Sequence, residues 1–212
     1  MDISVSLPKN NCGICPRLTA FRIQNQNKFY DWHNAPVTPF GDLSSQLLIV
    51  GLAPGLRGAN RTGRPFTGDH AGVLLFDTLL KFKFATGQYT EDGDDNFELN
   101  NCRITNGVRC VPPQNKPIGS EINACRPFLN YEINAMHNLK CILVLGGIAH
   151  NTVLRAFGQK VSLWKFEHNA LHNLPKLPVL INSYHCSRYN TNTGRLTEKM
   201  FHDVFKSIRK LI

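Results

Sequence analysis

Leu47-Leu48-Ile49-Val50, running into Gly51-Leu52-Ala53-Pro54-Gly55, is the stretch on which the reading of the fold turns. Four apolar residues ending in β-branched Ile49 and Val50 have strand length, and the Gly- and Pro-rich continuation stops them. No polar residue alternates with them, so both faces of the strand are buried, as a parallel sheet requires. The pattern recurs at residues 141–145 before Gly146-Gly147, and at residues 177–181 before Asn182-Ser183-Tyr184-His185. A weaker run, residues 103–105, leads into Asn106.

Helical periodicity fills the spaces between these runs. Residues 73–84 put Leu74, Leu75, Thr78, Leu79 and Phe82 on one side, and residues 120–139 open with Ser120 as N-cap and Glu121 in the first turn. Residues 148–157 end at Gly158, a C′ glycine. The last helix starts at Thr197, buries Met200, Phe201, Val204, Phe205, Ile208 and Leu211, and turns Lys199, His202, Lys206, Arg209 and Lys210 outward. Strands alternating with helices predict an α/β fold, a three-layer αβα sandwich with a central, mainly parallel four-stranded sheet. Its length suits one domain over residues 1–212. Functional loops of such sheets sit at the carboxyl ends of the strands, which nominates residues 51–68, 106–110 and 183–190.

Lys and Arg number 24 against 15 Asp and Glu, a formal net charge of +9. That balance suits a polyanion such as nucleic acid, although many proteins of other function are also basic. The amino-terminal residues lack the basic and apolar regions of a signal peptide, and the longest apolar run falls far short of the ~20 residues of a membrane span. The expectation is a soluble, cytoplasmic protein with no membrane partner. In a reducing compartment, seven cysteines point to metal or catalysis rather than to disulfides.

Cys12-Gly13-Ile14-Cys15-Pro16 is a CxxC at a Gly/Pro turn, and Cys110 and Cys125 lie downstream with fourteen residues between them. Four thiolates suit either tetrahedral zinc or a 4Fe–4S cubane. A thioredoxin-like CxxC with two unrelated cysteines is the weaker alternative, because Cys12 precedes any strand and no βαβ unit surrounds it. Cys102 and Cys141 read as core thiols, whereas Cys186 falls in a polar loop.

Residues 51–55 with Asn60-Arg61-Thr62-Gly63-Arg64-Pro65-Phe66-Thr67-Gly68-Asp69 resemble the first motif of the class B (family 5) iron–sulfur uracil-DNA glycosylases. Thr105-Asn106-Gly107-Val108-Arg109-Cys110, with Pro112-Pro113 and Asn115-Lys116-Pro117, is similar to their second motif. Residues 183–187 and 190–197 are similar to their third. Cys12, Cys15, Cys110 and Cys125 stand where that family's 4Fe–4S ligands stand, and the likeness runs from Cys12 to Met200.

The resemblance implies a monofunctional enzyme that flips uracil or a related deaminated base out of DNA and hydrolyses its N-glycosidic bond, acting as a monomer. Breaking that bond puts negative charge on the departing base, where a donor helps most. His185 is the expected donor to uracil O2. Asn106 can donate to O4 and accept from N3–H, a pattern that cytosine reverses. Phe66 stacks on the flipped base, with Gly51, Ala53 and Gly55 lining the same pocket. Asp69 either positions water and steadies the sugar cation or caps a helix near Gly72. Arg61, Ser187, Arg188 and Asn190 are the expected DNA contacts, Arg188 with Tyr189 as a wedge; a solvated charged loop is the competing reading.

Three differences matter. Leu52 and Ala53 stand where related families carry a water-activating carboxylate, and Gly55 stands where others place a Tyr against the thymine methyl. The expectation is bond breaking without a strong general base, in a pocket roomy enough for hypoxanthine, xanthine or 5-substituted uracils. Cys186 replaces the proline usual after the histidine, which removes a fixed φ and should loosen His185. Because base excision is redox-neutral, the cysteine cluster is expected to brace Asn106 rather than react.

Overall fold

The computed structural model describes residues 7–212. In chain order the elements are α1 (Pro16–Lys28), β1 (Leu47–Gly51), α2 (Ala59–Thr62), α3 (His70–Lys81), β2 (Ala85–Thr86), β3 (Glu98–Leu99) and β4 (Cys102–Asn106). There follow α4 (Gly119–Ala135), β5 (Cys141–Leu145), α5 (Gly147–Ala156), β6 (Leu171–His172), β7 (Val179–Ser183), α6 (Arg188–Asn192) and α7 (Glu198–Arg209).

Every residue of β1, β4 and β5 is buried, as the unbroken apolar runs of β1 and β5 require; in β4 the buried Arg103 and Thr105 bond to Glu132. Successive side chains on a strand point to opposite faces, so these runs feed two cores. Leu47, Ile49, Leu143 and Ile181 pack against Leu75, Phe76 and Leu79 of α3 and Phe201, Val204 and Phe205 of α7. Leu48, Val50, Ile142, Val144 and Leu180 pack against Leu129 and Ile133 of α4 and Val153 and Leu154 of α5. Two helical layers thus enclose one sheet.

The sheet has the order β4-β1-β5-β7-β6. The first four strands are parallel, as anticipated, but there is a fifth: β6 joins β7 antiparallel through Leu171↔Ile181 and His172↔Leu180. A two-residue edge strand is too short to show periodicity, and the same holds for the separate β2–β3 ladder. The last parallel strand sits two residues later than its apolar run, because Asn182 and Ser183 are buried in the ladder too. Its carboxyl end therefore coincides with those of β1 and β4.

Helix boundaries also moved. α3 begins at His70, three residues early, because Asp69 caps it by accepting the Ala71 N–H at 3.0 Å. The N-cap of α4 is Ile118 rather than Ser120; Glu121 reaches back to accept the Ile118 N–H at 2.9 Å and also binds Arg17. α4 stops at Ala135, short of residue 139. Gly158 follows α5 with φ +67°, the left-handed value that favours glycine there. Thr197 caps α7 as expected, accepting from Met200 N–H at 3.2 Å. Thr197→Ala should lower unfolding free energy by about 1 kcal/mol, seen as a lower denaturation midpoint at unchanged slope.

Candidate active site

Parallel pairing brings Gly51 opposite Asn106 and Leu145 opposite Ser183, so three loops leave the sheet at one end. Two further bonds, Gly107 N–H to Gly51 O and Val108 N–H to Leu52 O, both 2.9 Å, carry the β1–β4 pairing past the strands and knit the first two loops together. Between the loops opens a pocket of about 340 Å³. Its walls include Leu52, Ala53, Gly55, Phe66, Asp69, Asn106, His185, Ser187 and Arg188.

Asn106, the final residue of β4, is 3% exposed. Its Oδ1 lies 2.5 Å from where a Cβ on Gly51 would be, and the Phe66 ring lies 2.7 Å from the same point. Only glycine lets the amide and the ring meet over the strand end. Phe66 itself adopts φ +60°, a conformation costly for a bulky residue, which turns its ring back over the pocket instead of along the loop. The rings of Phe66 and His185 face each other at 6.0 Å with 29° between planes. Among the described residues, no side-chain hydrogen bond engages the Asn106 amide or the His185 imidazole, so both keep their bonding capacity for what enters the pocket. Burial lowers the pKa of His185 and keeps the ring neutral near pH 7, a donor that adds no charge of its own.

Asp69 caps α3 and lines the pocket at once. One carboxylate oxygen accepts from Ala71 N–H, and the other lies 2.8 and 2.6 Å from the Cβ positions of Gly55 and Gly58. Gly55 therefore makes room for Asp69 as well as for a base. Burial raises the Asp69 pKa, against the opposing pull of the Ala71 and Gly72 amides. A reaction that needs the carboxylate ionised should lose rate, as pH falls, at a point above the ordinary Asp value of about 3.9. Asp69→Asn, which keeps a cap acceptor but not the charge, should erase that limb while leaving thermal stability unchanged. A pH–rate profile of both proteins checks this.

The third loop is held by more than its sequence suggests. Asn190 Nδ2 donates to His185 O at 2.8 Å, Tyr184 N–H donates to His168 Nδ1 at 3.2 Å, and Ser187 caps α6. Cys186 is fully buried in the core beneath, not in a polar surface loop, and burial pushes its thiol up to about 12. The fixed φ of a proline is thus replaced by packing and by Asn190, which turns toward the loop itself. Arg188 is exposed at the pocket mouth, beside Tyr189, which is 71% exposed. Arg61 is elsewhere: its guanidinium donates to Arg57 O at 3.0 Å and to Glu91 O at 3.1 Å, bracing a neighbouring loop.

Two pocket residues, Asn115 from the second motif and His70 from outside the motifs, were not among the expected site residues. Asn115 lines the wall in the turn after Pro113 and accepts the Leu56 N–H at 3.2 Å, bridging the second loop to the first. His70 lines it beside Asp69, with Nε2 3.0 Å from Thr191 Oγ1 on α6.

Cys12, Cys15, Cys110 and Cys125, from three separate stretches, line a single apolar hollow with Leu18, Val108 and Phe128. Among the described residues, no three His, Cys, Asp or Glu side chains are arranged for a single metal ion. Leu52 and Ala53 of the first pocket loop pack against Leu18, Val108, Ile122 and Cys125, so the pocket wall backs onto the residues that line the hollow.

Residues 38–209 match the family profile of the Uracil DNA glycosylase superfamily. The chain is 39% identical over 205 residues to a type-5 uracil-DNA glycosylase of Thermus thermophilus, covering 94% of this chain and 93% of that one. It is 36% identical over 200 residues to a type-5 uracil-DNA glycosylase of Pyrobaculum aerophilum, covering 92% and 87%. A type-4 uracil-DNA glycosylase of Sulfurisphaera tokodaii shares 27% over 197 residues. With its three strand-end loops closing on one pocket, the chain belongs to the uracil-DNA glycosylase superfamily.

Proposed function

We propose that this protein hydrolyses the N-glycosidic bond of uracil and related deaminated bases in DNA, as a single-domain, monofunctional enzyme of base excision repair. The observation that carries this reading is the convergence of Asn106, Phe66, Asp69 and His185 on one pocket at the carboxyl end of the sheet. A base extruded from the duplex lies against Phe66. Asn106 reads its O4 and N3–H edge, and neutral His185 donates to O2 as charge builds there. Asp69 faces the sugar side, where a carboxylate stabilises an oxocarbenium-like transition state or orients the attacking water. Leu52 and Ala53 supply no carboxylate, so the account rests on charge stabilisation. Arg188 and Ser187 at the mouth meet the backbone, and the net charge of +9 favours a polyanion. No helix among the described residues is long and apolar enough to cross a membrane; the working form is a cytoplasmic monomer.

Cys12, Cys15, Cys110 and Cys125 hold a 4Fe–4S cluster in this reading. Four thiols from three chain segments around one hollow suit a cluster that takes one thiolate per iron. When bound, the cluster supplies a covalent cross-link between the amino-terminal segment, the β4 loop and α4.

Release of free base from duplexes carrying one uracil, hypoxanthine or xanthine tests the proposal. Uracil release with tolerance of at least one purine lesion supports it, and no release from any of them sinks it. Gly55→Tyr should narrow the lesion range, and it should also slow uracil release because the larger side chain displaces Asp69. A variant that narrows the range at full speed would show that Asp69 is not pinned there.

A further inference from the structure

Arg22 stands out among the buried cations. It sits seven residues after Cys15 on α1, so two helical turns place it on the same face as Cys15, Leu18 and Thr19. It is 5% exposed, donating from Nη2 to Cys12 O at 2.9 Å and from Nη1 to Cys110 Sγ at 3.8 Å. Thr19 Oγ1 also reaches Cys12 O, at 3.4 Å.

Among the described residues, no carboxylate pairs with it. Glu121 is taken by Arg17, Asp95 by Arg64, and Glu132 by both Arg103 and Arg109. A guanidinium stays protonated at any working pH, and burying it without an opposite charge is strongly unfavourable. A peptide carbonyl and a neutral thiol do not offset that cost. A thiolate does. The neighbouring group repeats the imbalance. Two buried guanidiniums, Arg103 and Arg109, share the one carboxylate of Glu132, and the backbone N–H of Arg109 donates to Cys125 Sγ at 3.4 Å. Positive charge therefore exceeds negative at Arg22, against Cys110, and in the Arg103–Arg109–Glu132 group, whose Arg109 lines the hollow, which matches a ligand set of four thiolates with a net negative cluster.

We infer that Arg22 is the counter-charge of the cysteine site. It joins the two halves of the ligand set, Cys12 and Cys110, and stabilises the bound cluster, most strongly when the cluster is reduced. This rests on the four cysteines holding a 4Fe–4S cluster. N–H donors and positive charge at a cluster sulfur favour the electron-rich state, so Arg22 raises the reduction potential.

The test compares intact wild type with Arg22→Gln and Arg22→Lys, purified with their clusters, by iron and sulfide content, voltammetry and bleaching of the visible absorption by a chelator. Arg22→Gln should shift the potential to more negative values and speed bleaching by about tenfold, the scale of one hydrogen bond to a charged group. Arg22→Lys should recover most of the potential, because the charge remains. It should recover less of the bleaching resistance, because lysine lacks the fork that spans Cys12 O and Cys110 Sγ. An iron-containing wild type with Arg22→Gln unchanged in both potential and bleaching overturns the role of Arg22 and leaves the cluster standing. A wild type that contains no iron overturns the cluster reading, and this inference with it.

Discussion

Replacing His185 with alanine is expected to slow uracil release by about a hundred- to a thousandfold, the usual effect of removing one donor from a site of developing negative charge. The ring is kept neutral by burial, faces Phe66 across the pocket, and has no hydrogen-bond partner within the protein among the described residues. Its N–H is thus available to O2 of a departing base, and the interaction is worth most in the transition state, where that oxygen carries charge. The loss should appear in the single-turnover rate, with little change in affinity for uracil-containing DNA. A variant that binds DNA tenfold more weakly but cleaves at full rate would assign His185 to binding alone.

Replacing Cys110 with serine is expected to lower stability and activity together. Cys110 lies four residues after Asn106 and ties the β4 loop to the hollow against which Leu52 and Ala53 pack. The Gly107 and Val108 amides bind Gly51 and Leu52. Loosening that corner releases Asn106 and the first pocket loop at once. A loss of about 3 kcal/mol corresponds to a fall in melting temperature of about 6–12 °C for a chain of this size. Excision should fall by at least about tenfold, since catalytic groups tolerate little displacement. Thermal unfolding, iron content and uracil release measured on one preparation check this. Loss of iron with stability and excision both intact would show that the cluster braces nothing.

The parallel strands and the faces of α3 and α7 were readable because burial on both faces of a sheet, or on one face of a helix, leaves a pattern over many residues. The fifth strand was not, since the two residues of β6 owe their conformation to pairing with β7. Motif positions nominated Phe66, Asn106 and His185, which line one pocket, but not how they meet. The left-handed backbone at Phe66 and the bare Cα of Gly51 bring ring and amide together, and both are properties of tertiary approach. Asp69 was read as either cap or pocket carboxylate, and it occupies both places because each oxygen faces a different way. Asn190 and Arg61 were read as DNA contacts from their loops. Their side chains bond within the protein to His185 O, Arg57 O and Glu91 O, partners that sequence spacing does not reveal. Cys186 misled because its polar neighbours hide a side chain that turns into the core.

In the proposed mechanism the pocket stabilises the departing base and supplies no strong general base. The most direct measurement is single-turnover excision of uracil and of 5-fluorouracil, whose fluorine makes it the better leaving group, by wild type and His185→Ala. If His185 stabilises the leaving anion, the variant should depend more heavily on leaving-group acidity, and the ratio of 5-fluorouracil to uracil rates should rise. An unchanged ratio, with both substrates slowed equally, would contradict the account.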